Sequence, residues 1–279
     1  MRALIRTIAA AATVVAVLSG VDTGGQAAGS RHVYWTNHGM IGSSTIGRAN
    51  VDGTGADQSF VTGASSPFGV AVDSGHIYWA NEGTNAIGRS NLDGTGVDQG
   101  FITGAVNPLG VAVDSNHVYW TNEVTGTIGR ANLDGTGVNE SFISGLSHPH
   151  GVAVDGAHIY WANNGHGQTT IGRANLDGTG VTPRFIRRAQ GPFGVAVDAS
   201  HLYWANGSTG TIGRANLDGT GVRQSFISGA NSAGVAVDSG YVYWPSGGTI
   251  GRANLDGTGV RQSFITGATS AVGVAVDAG

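Results

Sequence analysis

The side chains able to do chemistry in this 279-residue sequence are His, Arg, Asp and Glu, because Cys and Lys are both absent. Without Cys there are no disulfides, no thiolate metal sites and no Cys nucleophile. All 14 basic residues are Arg, the formal net charge is −4, and no basic run occurs. The stripe that would displace phosphate counterions is therefore missing, and nucleic acid is excluded as an expected partner. Much of the polar chemistry recurs at matched positions: Arg48, Arg89, Arg130, Arg173, Arg214 and Arg252, and Asp73, Asp114, Asp155, Asp198, Asp238 and Asp277. A group present in every copy of a unit reads as architecture. His32, His76, His117, His158 and His201 stand two residues before a Tyr-Trp pair, with Tyr241 at that place in the last copy. Spread around a ring, they would lie too far apart to share one ion at imidazole bond lengths of about 2 Å.

Asn-Leu-Asp-Gly-Thr-Gly, as in residues 132–137, invites a phosphate-loop or calcium reading. Neither holds, since no Lys and no helical pattern follow and one carboxylate per turn falls short of a calcium cage. It reads as a hairpin turn. Three segments do not repeat: His148-Pro149-His150, the stretch 163–168 containing His166, and Arg187-Arg188, where other copies read Thr-Gly or Ser-Gly. His and Arg together suit an anion or carboxylate, and His148, His150 and His166 are the residue types for a metal. An ordinary polar rim is the alternative reading, and neither a metal nor a cofactor is assigned.

The elements that must position these residues follow from repetition. Tyr-Trp occurs six times, with Trp at 35, 79, 120, 161, 204 and 244, so by subtraction the spacings are 44, 41, 41, 43 and 40 residues. A period near 40 suits four short strands and their turns. The second copy shows the plan: Gly69-Val70-Ala71-Val72-Asp73, then His76-Ile77-Tyr78-Trp79-Ala80-Asn81, Ala86-Ile87-Gly88-Arg89 and Phe101-Ile102-Thr103. Ile77, Tyr78 and Trp79 are consecutive and apolar, so both faces of that strand must be covered, as in sheets stacked around an axis. The first copy lacks the Gly-Val-Ala-Val-Asp strand, which reappears unaccompanied at 273–277. The expected fold is thus all-β, a six-bladed β-propeller over 29–279, closed by the C-terminal strand joining the first blade.

These motifs resemble the YWTD repeat, the low-density lipoprotein receptor class B module, over essentially residues 31–279 in order, spacing and count. The resemblance implies the propeller fold, and protein binding more loosely. The departure is Asn (Asn37, Asn81, Asn122, Asn163, Asn206) or Ser246 in place of the motif's Asp, which hands any hydrogen bond of that carboxylate to an amide or a hydroxyl.

In such a blade the loop after Tyr-Trp and the connection into the innermost strand emerge on one face. The near-identical turns emerge on the other. Copies differ mainly on the first face, the expected binding surface. There His148, His150, His166, Arg187 and Arg188 would meet Phe68, Leu109 and Phe193, which precede the inner-strand Gly and would ring the channel mouth. Residues 1–28 read as a signal peptide: Arg2 and Arg6, an uncharged apolar run from Ile8 to Leu18, and small residues near Ala27. Val21 stands where a lipoprotein would need Cys. The expectation is a secreted or otherwise extracytoplasmic monomer without stable membrane insertion, a non-catalytic propeller binding a protein, peptide or glycan. The rival is a metal-dependent hydrolase or lyase resembling the lactonases, with Glu82 and Glu123 beside Asn81 and Asn122 as its best ligands.

Overall fold

The computed structural model describes residues 31–39, 44–165 and 168–277; the leader proposed for 1–28 and His166 lie outside them. Six four-stranded antiparallel sheets are present. In blade two, Pro67–Val72 is innermost, followed outward by His76–Asn81, Ala86–Asn91 and Asp98–Thr103. Its register pairs Val70 with Trp79, Trp79 with Gly88, and Ile87 with Ile102. Blade one is assembled from both ends of the chain. Ala271–Val276 pairs with His32–Asn37, matching Val274 to Trp35 and Val276 to Val33. The sequence repeat is thus offset from the blade by one strand, and the offset closes the ring.

Packing shows why closure matters. All six Trp and the six Tyr preceding them are fully buried, and each of six apolar clusters sits at a seam between neighbouring blades. Tyr34, Ile46 and Val61 of blade one face Val70, Ile77 and Trp79 of blade two. The same pattern runs around to Tyr243, Ile250 and Ile265 of blade six against Trp35, Val33 and Ala49 of blade one. An open stack of six blades would have five seams and two bare apolar faces. Each indole lies flat over the Gly opposite it, so a Cβ at Gly88 would overlap the Trp79 ring. Nearer the axis, a Cβ at Gly110 would stand 2.5 Å from the His150 carbonyl of the next blade, which is why only Gly fits there.

The recurring charged residues serve the framework. Asp73 Oδ1 accepts the N–H groups of Gly75 and His76, both at 2.7 Å, and Oδ2 accepts the Tyr78 hydroxyl at 3.0 Å. Burial, then the Asp73 charge, pushes that hydroxyl's pKa well above the usual phenol range. Arg89 stacks on Phe101 with 3.9 Å from Cζ to the ring centre and donates to the Leu133 carbonyl of the next blade at 3.0 Å. The Asn that replaces the motif's Asp works in both directions. Asn81 Nδ2 donates to the Gln99 carbonyl on the outermost strand, while Oδ1 accepts the Ser65 N–H ahead of the innermost strand. A carboxylate could not make the first bond. Blade six has Ser246 there, and its inner strand shrinks to Ala236–Val237.

Gln99 ties two blades together: its Oε1 accepts from Trp79 Nε1, and its Nε2 donates to the Thr62 carbonyl of blade one at 3.0 Å. Gln224 and Gln262 repeat this arrangement. Blade three carries Glu140 instead, whose Oε2 takes Trp120 Nε1 while Oε1 is buried beside Gly104 without a hydrogen-bond partner. Glu140→Gln should supply the missing donor and raise stability by about 1 kcal/mol, read as an upward shift in thermal midpoint; an unchanged or lower midpoint would contradict this account.

Candidate functional site

The variable segments do converge on one face. In blade four Pro149 pairs with Asn163 and Ile171 with Ile186, so the residues around His148–His150, Asn163–Asn164 and Arg187–Arg188 all leave the same end of the sheet. At the axis, the six inner strands surround a channel lined by Phe68, Leu109 and Phe193 together with Gly, Val and Ala. It encloses about 80 Å³, room for a few water molecules.

The mouth is braced from the second strands. Gly110 N–H donates to Thr121 Oγ1 at 2.8 Å, and that hydroxyl donates in turn to the His150 carbonyl of the next blade. Thr36 repeats this between Gly273 and the Phe68 carbonyl. These two hydroxyls fix where Phe68 and His150 sit. The His150 ring meets Phe193 edge-on with centres 4.7 Å apart, and Nε2 lies 3.7 Å from Glu123 Oε1. Glu123 Oε2 is held by Asn107 Nδ2 at 2.8 Å, while His150 Nδ1 is buried without a hydrogen-bond partner. Burial holds the His150 pKa below its ordinary value; the Glu123 charge opposes this without overcoming it, and His148 adds to the lowering. The mouth is therefore a neutral imidazole beside an oriented carboxylate and apolar rings, suited to an apolar side chain flanked by hydrogen-bonding groups.

His148 precedes the innermost strand of blade four. It takes a left-handed conformation, φ 46°, as do Ser66, Asn107 and Ser270 at the same turn, and its carbonyl accepts the Asn164 N–H at 3.2 Å. Arg187 and Arg188 are exposed at the far end of the outermost strand. Three strand spacings, about 14 Å of sheet, separate that position from the innermost strand bearing His150. The named residues thus form two groups, the mouth (Phe68, Leu109, His150, Phe193) and the rim (Arg187, Arg188). Asn107, which orients Glu123, was not singled out in the sequence; its only signal there is its place directly before the inner strand of a variable connection.

Three of the four residues named for a metal-dependent enzyme have other partners. Asn81 and Asn122 are buried and committed to holding strands, Glu82 opens a short 3₁₀ turn, and Glu123 is engaged by Asn107. Among the described residues no three His, Asp or Glu side chains gather to ligate one ion.

Two outcomes follow. The folded-state pKa of His150 lies below the unfolded value of about 6.5, so its contribution to stability is complete above that pH and is lost as pH falls through the folded-state pKa. His150→Gln should flatten this part of the pH–stability curve, and an NMR titration should place the His150 midpoint below 6.5; a midpoint at or above 6.5 would contradict burial as the dominant effect. Separately, Arg188 has φ 60° where the other five copies place Gly63, Gly104, Gly145, Gly229 and Gly267 at φ between 73° and 95°. Relief of left-handed strain, offset by glycine's greater unfolded-state freedom, should let Arg188→Gly raise stability by a few tenths to about 1 kcal/mol; destabilisation on denaturant unfolding would show that the Arg side chain is needed for folding.

Comparison with known proteins agrees with this geometry. No curated protein sequence matches the chain. Among solved structures, a chain from a nidogen/laminin complex superposes with a TM-score of 0.75 at 20% identity, covering 88% of this chain and 98% of that one. A gluconolactonase from Xanthomonas campestris gives 0.61 at 17% identity, covering 85% and 86%. Virginiamycin B lyase from Staphylococcus aureus gives 0.58 at 19%, covering 85% and 81%. These likenesses establish the shared fold. The sequence model of the low-density lipoprotein receptor repeat class B matches residues 116–155, which run from the second strand of blade three through the innermost strand of blade four. That stretch matches a low-density lipoprotein receptor class B repeat, and it is one of six copies of the same residue plan around the ring.

Proposed function

We propose that this chain is an exported, non-catalytic binding propeller that engages a protein, peptide or glycan through its variable face. The observation that carries the reading is the separation of roles between the two faces. One is built from turns nearly identical in all copies; the other gathers nearly all the sequence variation, together with Phe68, Leu109, Phe193 and the half-buried His150 around a narrow mouth. A partner's apolar side chain fits that mouth better than a diffusible substrate, because the channel behind it is small and its lining carries no converging acid, base or nucleophile. From the mouth the surface extends past His148 and over blade four to Arg187 and Arg188. The nidogen solved with laminin supports a protein partner by analogy of fold.

Export is inferred from the leader-like residues 1–28, and no helix among the described residues is long and apolar enough to cross a membrane. The test immobilises the mature propeller, captures partners from its native extracellular milieu, and compares wild type with a His150→Ala, Phe193→Ala double variant. The partner should be lost from the variant while its thermal unfolding stays cooperative. Undiminished capture would remove the mouth from the proposal. Stoichiometric Ca²⁺, Mg²⁺ or Zn²⁺ in the purified protein, together with lactone or ester turnover, would overturn the non-catalytic reading.

A further inference from the structure

The outermost strand of blade four differs in charge from its five counterparts. The others read Asp-Gln-Ser-Phe-Val-Thr-Gly from Asp57 to Gly63, and close variants of this elsewhere. Blade four reads Thr182-Pro183-Arg184-Phe185-Ile186-Arg187-Arg188. Three Arg replace Ser or Gly, Thr or Ser, and Gly, and the Asp or Asn that opens the strand in blades one to three has become Thr182. All three Arg are exposed, and none takes part in an ion pair among the described residues. Arg188 keeps a side chain in a backbone conformation that the other copies leave to Gly.

This strand also has a free side. It is the last in its sheet, paired only with Gln168–Asn175, so its outer edge has no strand partner; Pro183 offers no N–H there, and the Arg187 carbonyl accepts from Gln224 Nε2 of the next blade. Protection against aggregation would account for one charge on such an edge, as with Asp57, Asp98, Glu140, Arg223 and Arg261 on the other five, but does not call for three Arg on one strand. An extended peptide can continue the sheet there, whereas a glycan has no backbone to pair. Arg184 and Arg187 are three residues apart, about 10 Å along the strand, and Arg187 and Arg188 adjoin. Side chains three residues apart on a strand point to opposite faces, so carboxylates on both faces of an added strand come within reach of these flexible guanidinium groups.

We propose that the free edge of blade four is a docking strand for an extended acidic segment of a partner protein, whose carboxylates pair with Arg184, Arg187 and Arg188. The proposal rests on the molecule being a binding propeller, but not on the channel mouth being its site. The test measures fluorescence anisotropy of a labelled octapeptide repeating Glu-Glu-Thr-Thr, which carries Glu on both faces, against the full mature propeller. A Gln-for-Glu peptide, an N-methylated acidic peptide and a sulfated tetrasaccharide serve as competing probes. The protein variant is Arg184→Ser, Arg187→Thr, Arg188→Gly, which installs the residues of the other copies and so retains the fold. The acidic peptide should bind wild type, weaken with rising salt, and lose at least tenfold in affinity in the triple variant, whose thermal midpoint stays equal or rises. The Gln and N-methylated peptides should each bind at least tenfold more weakly. Equal binding to the triple variant, full binding of the N-methylated peptide, or binding of the sulfated sugar alone would overturn the proposal. The His150→Ala, Phe193→Ala variant should bind the peptide as wild type does, which separates failure at this edge from failure at the mouth.

Discussion

Everything in this fold depends on the second strand of each blade being apolar on both sides. A Tyr directed at one neighbour and a Trp directed at the other leave no surface of the blade that water can cover cheaply. A single blade is therefore unstable alone, and a row of blades remains unsatisfied at its ends. The ring removes the ends. Six Tyr and six Trp then make six equivalent seams, with the indole of each blade pressed on the Gly of its own third strand. Closure depends on the stagger that lends the last inner strand, Ala271–Val276, to the first blade.

The same demand determines where variation is tolerated. Each seam fixes the Tyr, Trp, Ile and Gly of four strands, and each recurring Arg and Asp is held by a stacked ring or a turn. What escapes is the set of connections at one end of every blade, and the framework nevertheless reaches into them. Thr36 and Thr121 carry a hydrogen bond from one inner strand to the next, and so place Phe68 and His150 at the mouth. Specific chemistry there is thus presented on strands that cannot shift without opening a seam.

Departures from the repeat are informative because five internal controls surround each one. Pro183 removes the Gln amide, and Trp161 turns to Asn163 of its own strand instead. Ser246 removes the clamp on the inner strand, which shortens. Glu140 keeps the Trp bond and leaves a buried oxygen without a partner. Arg188 accepts a left-handed backbone while carrying a side chain. The first departure is repaired locally; the others leave a shortened strand, an orphaned oxygen and a strained turn. In blade four the Arg cluster places exposed charge beside an edge that other copies keep neutral there.

The sequence by itself determined the blade number, the four-strand plan, the closing strand and the face on which copies differ. Those features follow from periodic Tyr-Trp pairs, turn residues at fixed offsets and a strand missing from one end, and all are local or additive along the chain. It did not determine which variable residues meet. His150 finds Phe193 and Glu123 across two seams, and Asn107 orients that carboxylate from its own blade; these contacts depend on ring radius and strand tilt, which no residue spacing encodes. His148 and Arg187 look alike as polar departures in one repeat, yet the sheet's width sets them apart, one beside the axis and the other on the outer wall. The tertiary structure decided that division, because distance across a blade is counted in strands and not in residues.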